Sequence, residues 1–213
     1  MRSIHPPRVS PSGFTLLELM VTLAIASILL SIGVPSFNGM FDKLRLKNTS
    51  EQIYSHMQRA RFEAVSRKVE VGVNFSADNT ATWAYGISDA NNGSCDTGLT
   101  TAGADDACTL VIDDGDGSVH GLNGTVDTAD KVLMLFTNGD HRDIKMQFTG
   151  AGGANSIVFD PVLGTARDSS GALRTGEILL ESNRGLKLKV VVGVLGNVRI
   201  CSPDGSVSGY RGC

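Results

Sequence analysis

The sequence predicts an α+β protein in which a long N-terminal helix, first transmembrane and then amphipathic, packs on an antiparallel β-sandwich-like globular domain. Three observations carry this prediction. An apolar run extends from Phe14 to Val34, apolar residues at helical spacing follow it, and short alternating segments with frequent turn residues occupy the rest. The expected segments are residues 1–13, the membrane helix 14–37, the amphipathic helix 38–68 and the β-rich domain 69–213.

The apolar run holds roughly 21 residues, which as a helix would span about 31 Å, close to the hydrocarbon core of a bilayer. Arg2 and Arg8 precede it and no acidic residue does, which places the N-terminus in the cytoplasm and the bulk of the chain across the membrane. A cleaved secretory signal is the alternative, with residues 24–26 (AIA) as a small-residue cleavage site. The apolar residues that continue to Val34 count against that alternative.

Glu18 is the one charged residue within the apolar run. A carboxylate in the membrane costs about 2.5–3.5 kcal/mol at the helix centre and less near an interface. The run contains no Lys, Arg or His, so a compensating cation must come from another chain or be created by processing. Glu18 is therefore a candidate functional residue.

The segment after the run keeps a helical period. Pro35 predicts a kink or an interruption. Beyond it, one apolar stripe comprises Phe37, Met40, Phe41, Leu44, Ile53, Met57, Ala60 and Ala64. We expect an amphipathic helix to about Arg67 that packs on the globular domain.

From residue 69 the period changes to that of strands. Alternation and flanking turn residues predict strands over 69–75, 81–87, 109–112, 131–136, 143–148, 156–159, 177–181, 186–194 and 197–201. Residues 88–108 are rich in Asn, Gly, Asp, Ser and Thr and predict a loop. Asp113, Asp114 and Asp116 suggest calcium, but the EF-hand spacing fails, and a turn is the preferred interpretation.

The charge composition excludes a wholly basic nucleic-acid binder, because the chain has 19 basic and 22 acidic residues. The distribution is uneven, because no Lys or Arg lies between Lys68 and Lys131. From residue 184 onwards Asp204 is the one acidic residue, whereas there are five basic ones: Arg184, Lys187, Lys189, Arg199 and Arg211. This asymmetry favours electrostatic contact with neighbours, although a solvated surface is the commoner explanation.

The four cysteines fall into two local pairs, Cys95 with Cys108 and Cys201 with Cys213. Neither pair has a zinc spacing and the histidines are scattered, so we expect no metal site and no cofactor. Beyond a membrane segment disulfides are the favoured use. Three connectivities are possible, of which we favour the local one.

Residues 13–18, Gly-Phe-Thr-Leu-Leu-Glu, resemble the prepilin processing site of type IV pilins and type II secretion pseudopilins. The resemblance implies that a prepilin peptidase removes leader 1–13 by cutting between Gly13 and Phe14 and methylates the new N-terminus. It implies that Glu18 meets the Phe14 amine of a neighbouring subunit in the filament core. The implied location is the bacterial inner membrane, single-pass with a periplasmic C-terminal domain, and then a pilus or pseudopilus.

Further segments are similar to the GspH/FimT minor pilins and pseudopilins. They are residues 60–65 (ARFEAV), in which Phe62 replaces a usual serine, the Trp83 strand, and residues 196–201 (GNVRIC). The resemblance implies a non-enzymatic subunit near a filament tip that helps to prime assembly. The implied partners are other pilins, the prepilin peptidase and the inner-membrane assembly platform.

DNA binding during natural transformation is the alternative function. Some FimT-like members bind DNA through a basic C-terminal region, which here implies contacts from Lys187, Lys189, Arg199 and Arg211. The family's G-R-x-R pattern is incomplete because Asn197 stands at its first arginine. A basic edge exposed to solvent is the favoured interpretation.

Overall fold

The structure is a computed structural model that describes residues 13–111 and 130–213, without the side chains of 32–38, Asp78, Thr80 and Asp140. Residues 1–12 of the expected leader and the expected turn at Asp113, Asp114 and Asp116 therefore lie outside the described residues. The chain divides into two compact units, Met1–Met40 and Phe41–Cys213.

Helix α1 spans Leu16–Arg67, 52 residues. Helical structure continues through Pro35, so the interruption considered at that position is absent. The expected end near Arg67 is confirmed. Lys68 adopts a left-handed φ of 57°, and the Val69 amide donates to the carbonyl of Ala64 at 3.2 Å, which closes the last turn.

The part of α1 in the second unit buries one face. Its fully buried apolar residues are Leu46, Ile53, Met57, Ala60 and Ala64, at helical spacing. Two buried hydroxyls on this stretch stay satisfied within the helix, because Thr49 donates to the carbonyl of Arg45 and Ser50 donates to that of Leu46. This buried face belongs to one core cluster with residues from both large sheets.

The described strands are β1 (Val71–Ser76), β2 (Asp78–Thr80), β3 (Ala84–Ser88), β4 (Thr109–Val111), β5 (Lys131–Leu133), β6 (Leu135–Thr137), β7 (Ile144–Gly150), β8 (Ser156–Phe159), β9 (Ala166–Arg167), β10 (Gly176–Ser182), β11 (Lys187–Val192) and β12 (Val198–Cys201). They form a sheet in the order β6-β3-β1-β8-β9, a second in the order β12-β11-β10-β7-β2, and the pair β4-β5. Their pairings are antiparallel. The predicted α+β class, with a helix on antiparallel sheets, is confirmed.

Alternation sets the two faces of the second sheet. In β10, Ile178 and Leu180 are fully buried, whereas Glu177, Leu179 and Glu181 point outward and are half-buried. Strand β11 repeats this pattern and turns its lysines to the same outer face as the β10 glutamates. The register thus decides which charges meet.

The predicted strand 131–136 is wrong as a single element. It is two strands, since β5 pairs with β4 while β6 pairs with β3. Met134 lies between them, donates to the carbonyl of Cys108 and accepts from the amide of Ile87. Strands β2 and β9 were not predicted, because two or three residues are too few to show an alternation.

A cluster of aromatic side chains and His56 joins α1 to the first sheet. Nδ1 of His56 lies 2.8 Å from the Tyr85 hydroxyl, and its ring lies 4.0 Å from that of Phe136. Burial lowers the pKa of His56 to about 4, and the nearby cations Arg59 and His141 act in the same direction. Burial also raises the pKa of Tyr85, so the phenol keeps its proton and can donate to a neutral imidazole.

We expect this pair to make stability depend on pH. The folded-state pKa of His56 lies below the ordinary value of 6.5, so its contribution is complete above pH 6.5 and is lost as pH falls towards 4. The denaturation midpoint of the full-length chain in detergent should decline over this window, and His56→Gln should flatten the decline. His5→Gln is the control. An unchanged slope in His56→Gln in the upper part of this window would contradict the assignment. A carboxylate such as Asp160, whose pKa lies below its ordinary value of 3.8, loses its contribution at lower pH, from about pH 5 downwards.

Candidate functional site

The predicted processing residues lie just before and at the start of α1. Gly13 is exposed, and a Cβ added to it would meet no described atom within 4 Å. Phe14 is 74% exposed. The peptide bond between them is therefore open to solvent, and nothing in the described packing requires glycine at position 13. If glycine is required at position 13, the requirement must come from another protein that binds the Gly13–Phe14 peptide bond.

Glu18 lies in the first turn of α1. Its amide donates to Oγ1 of Thr15 at 3.3 Å, which makes Thr15 a cap of the helix N-terminus. A carboxylate in the first turn also interacts favourably with the positive end of the helix dipole. Sequence analysis missed this local role, although the spacing Thr-x-x-Glu is the signature of a capping box.

The described side chains between Phe14 and Ser31 are exposed all around the helix. The large apolar ones are Phe14, Leu16, Leu17, Leu19, Met20, Val21, Leu23, Ile25, Ile28, Leu29 and Leu30. Three hydroxyls of this segment donate back to carbonyls of the same helix: Thr22 to Leu19, Ser27 to Ala24 and Ser31 to Ile28, at 2.7–2.9 Å. A helix that is apolar on every face and satisfies its own hydroxyls suits apolar surroundings.

By a criterion of length and hydropathy, the described residues include no helix that would cross a membrane.

Both cysteine pairs are disulfides in the structure, Cys95–Cys108 and Cys201–Cys213. The first lies against β3, because a Cβ on Gly86 would collide with Cys108. The second ties the C-terminal loop to β12, and the Ser202 amide donates to the carbonyl of Arg211 at 2.9 Å. Among the described residues no group of His, Cys, Asp or Glu could hold a metal ion.

The predicted DNA-contact residues are only partly brought together. Lys187, Lys189 and Arg199 share the outer face of the second sheet. Nζ of Lys189 lies 2.7 Å from Glu177, and that of Lys187 lies 3.7 Å from Glu181. These two glutamates offset much of the local positive charge, a feature that only the strand register reveals.

Arg199 and Arg211 are the other two predicted contacts. Both side chains are exposed, and neither makes an ion pair within the described part of the chain. Arg199 lies on β12, opposite Val191, whereas Arg211 lies in the loop closed by the second disulfide. Of the four predicted contacts, two thus have no ionic partner in residues 13–111 and 130–213.

Two family models match the chain. Residues 49–196 match the model of type II transport protein GspH, which covers more than half of the sequence. The chain belongs to the GspH family. Residues 10–34 match the prokaryotic N-terminal methylation motif, a span that contains Gly13, Phe14 and Glu18. The predicted GspH/FimT identity is confirmed.

Solved structures similar to this GspH-family chain are pilin-like. The type IV minor pilin FimU of Pseudomonas aeruginosa covers 72% of this chain and 90% of its own, at 13% identity and a TM-score of 0.40. The minor pseudopilin EpsH of the Vibrio cholerae type 2 secretion system covers 75% and 98%, at 12% identity and a TM-score of 0.38. No curated protein sequence gives a significant match.

Family membership and the methylation motif together define the class of protein. The chain is a minor pilin or pseudopilin with a role in the assembly of a type IV pilus or a type II secretion system. The family consists of structural subunits, and the motif implies a pilin anchored in the inner membrane.

Proposed function

We propose that this protein is made as a precursor, is cut by the prepilin peptidase between Gly13 and Phe14, and then primes filament assembly near the tip. The observation that carries the proposal is the methylation-motif match over 10–34 on a bond that is exposed in the structure. The helix over 14–37 first anchors the subunit in the inner membrane and afterwards packs in the filament core. Its other partners are neighbouring pilins and the assembly platform.

Cleavage and the position of Glu18 act together in this proposal. Hydrolysis of the Gly13–Phe14 bond frees an α-amine, which is largely protonated at pH 7. The ammonium of one subunit then pairs with the Glu18 carboxylate of its neighbour, and their attraction in apolar surroundings offsets the cost of burying each charge. Apolar helices alone slide past one another easily, so this pair also fixes the axial register of adjacent subunits, as one buried polar residue does in a coiled coil.

The proposed orientation is single-pass, with a cytoplasmic N-terminus and a periplasmic globular domain. Arg2 and Arg8 before the apolar run support it through the positive-inside rule. Two disulfides in the domain support it independently, since such bonds persist in the oxidising periplasm and are rare in the cytosol.

Mass spectrometry of the protein from its own bacterium tests the processing step. We expect a mature N-terminus at methylated Phe14, and an intact leader when the peptidase is deleted. Gly13→Val should retain the leader, because the described packing leaves room for a side chain and the variant tests recognition alone. Gly212→Val, at another open glycine, is the matched control. An N-terminus at Ser27, or an intact leader beside an active peptidase, would contradict the proposal.

Two substitutions separate the intersubunit role of Glu18 from helix capping. Glu18→Gln removes the charge at nearly constant size and should lower incorporation into the filament by roughly tenfold or more, because a buried cation then lacks its partner. Thr15→Val removes the capping oxygen at a cost of about 1 kcal/mol and should incorporate nearly normally. Immunoblots of sheared filaments measure both. Equal losses in the two variants would show that capping explains Glu18.

DNA binding is the second candidate function. The observation in its favour is that Arg199 and Arg211 are exposed and make no ion pair with any residue that the structure describes. The full-length chain in detergent should then retard DNA at low salt. The double variant Arg199→Glu/Arg211→Glu should lower the salt slope of the affinity by about 2. Lys68→Glu, an exposed cation at the end of α1, is the control. No retardation by the unaltered chain would eliminate this function.

A further inference from the structure

A polar groove lies between α1 and the turn that joins β6 to β7. Arg45, Asn48 and Gln52 line it from α1, where their spacing of three and four residues places them on one face of the helix. His141 and Arg142 line it from the turn. We call these five residues the arginine groove. Its volume is about 410 Å³, within the range of roughly 300–1,000 Å³ that is usual for small-molecule sites.

Contacts on several sides fix the turn beside α1. Nδ1 of His141 lies 3.0 Å from Oγ1 of Thr49, and the rings of His141 and Trp83 stack with their centroids 5.6 Å apart. Trp83 is buried, and its indole N–H donates to the carbonyl of Ile144 at 2.8 Å. The His141 amide donates to the carbonyl of Asn138 at 2.9 Å. The groove is therefore formed before a ligand arrives, which lowers the entropic cost of binding.

Arg45 is held at the groove without using all of its donors. Its Nη1 lies 2.9 Å from Oδ2 of Asp143, and Oδ1 of Asp143 accepts from Nδ2 of Asn183 at 3.0 Å. Both oxygens of this carboxylate are thus occupied. A guanidinium has five N–H donors, and the contact with Asp143 uses one of its nitrogens. The Arg45 side chain is half exposed, so its other donors remain available to a ligand.

Arg142 is the unpaired cation of the groove. Its side chain is exposed and makes no ion pair or hydrogen bond with any residue that the structure describes. The described side chains that line the groove include no Asp or Glu. Two arginines therefore lie beside one described carboxylate, that of Asp143, so the excess charge of these side chains is positive.

The donors of the groove define the class of ligand. A guanidinium presents a planar fork of N–H groups that matches the oxygens of a carboxylate or a phosphate. Arg45 offers one such fork from α1 and Arg142 offers a second from the turn. The side-chain amides of Asn48 and Gln52 can donate beside them. A neutral or cationic ligand would leave these donors unmatched, whereas an oxyanion accepts from all of them.

We propose that the arginine groove binds the phosphate or carboxylate group of a small molecule between Arg45 and Arg142. The two groups share the chemistry that the groove recognises, and titrations with each of them distinguish the two. The inference goes beyond the proposed function and does not rest on it, because no groove residue takes part in the cleavage, in the Glu18 pair or in the candidate DNA contacts.

The fluorescence of Trp83 tests binding, because Trp83 is the single tryptophan of the chain and stacks on a groove residue. The full-length chain in a non-ionic detergent is titrated with sodium phosphate or with sodium acetate at constant ionic strength. The emission should change in a saturable way, with half of the change complete at millimolar concentration. The anion that saturates at the lower concentration identifies the group. Sodium chloride is the control and should give no saturable change.

Variants of Arg142 identify the site. Arg142→Gln should raise the half-saturating concentration by roughly tenfold or more, because one charged fork is lost, and Arg142→Lys should restore part of the affinity. Both variants should fold, since the side chain is exposed. Lys68→Gln changes an exposed cation that does not line the groove, so this matched control should bind as the unaltered chain does.

The thermal denaturation midpoint is an independent readout. The bound anion should raise it in the unaltered chain and in Lys68→Gln, and much less in Arg142→Gln. Three results would overturn the inference: no saturable response in either measurement, an equal response to chloride, or equal responses of Arg142→Gln and the unaltered chain. Loss of the cut at Gly13 with intact anion binding would instead overturn the proposed function alone.

Discussion

The burial of one face of α1 is the contact on which the rest of the second unit depends. Ile53, Met57, Ala60 and Ala64 share one core with the inner residues of both five-stranded sheets, so neither sheet is complete without the helix. Ala60 and Ala64 are fully buried in the last turns of the helix. The same turns carry Arg61, which holds the β8–β9 turn in place. The last turns of α1 therefore contribute both to the core and to the position of the β8–β9 turn.

The N-terminal part of the same helix has its apolar side chains exposed, whereas the C-terminal part buries them. Between Phe14 and Ser31 its apolar side chains face outward in every direction, and the chain offers no described partner for them. One continuous helix thus joins a segment stabilised by its own domain to a segment that needs an apolar environment from outside. Membrane insertion and filament assembly both provide such an environment. Under the proposed function, lipid provides this environment first and neighbouring helices provide it afterwards.

Local patterns predicted most of the fold, and tertiary contacts account for what was missed. Alternation located the longer strands within a few residues, but it joined β5 to β6, because the bonds of Met134 to Cys108 and Ile87 are invisible in the sequence. The methylation motif over residues 10–34 was recognisable because such a motif is a short continuous stretch of sequence. The spacing of Thr15 and Glu18 also contained the signal of a helix cap. The partners of Lys187 and Lys189 depend on the register of β10 and β11. The exposure of Val162, Leu163 and Leu195 depends on how the β8–β9 and β11–β12 turns fold. An aliphatic residue before a turn glycine has the same pattern whether it is buried or exposed.

In the two turns that carry Val162, Leu163 and Leu195, different groups determine the backbone shape and the chemistry of the surface. Their shape is determined by backbone contacts at Gly164 and Gly196 and by the Asp160 carboxylate, while the exposed side chains contribute little to the core. Substitutions at those exposed positions should therefore alter the chemistry of the surface while the turns keep their shape, at little cost in folding free energy.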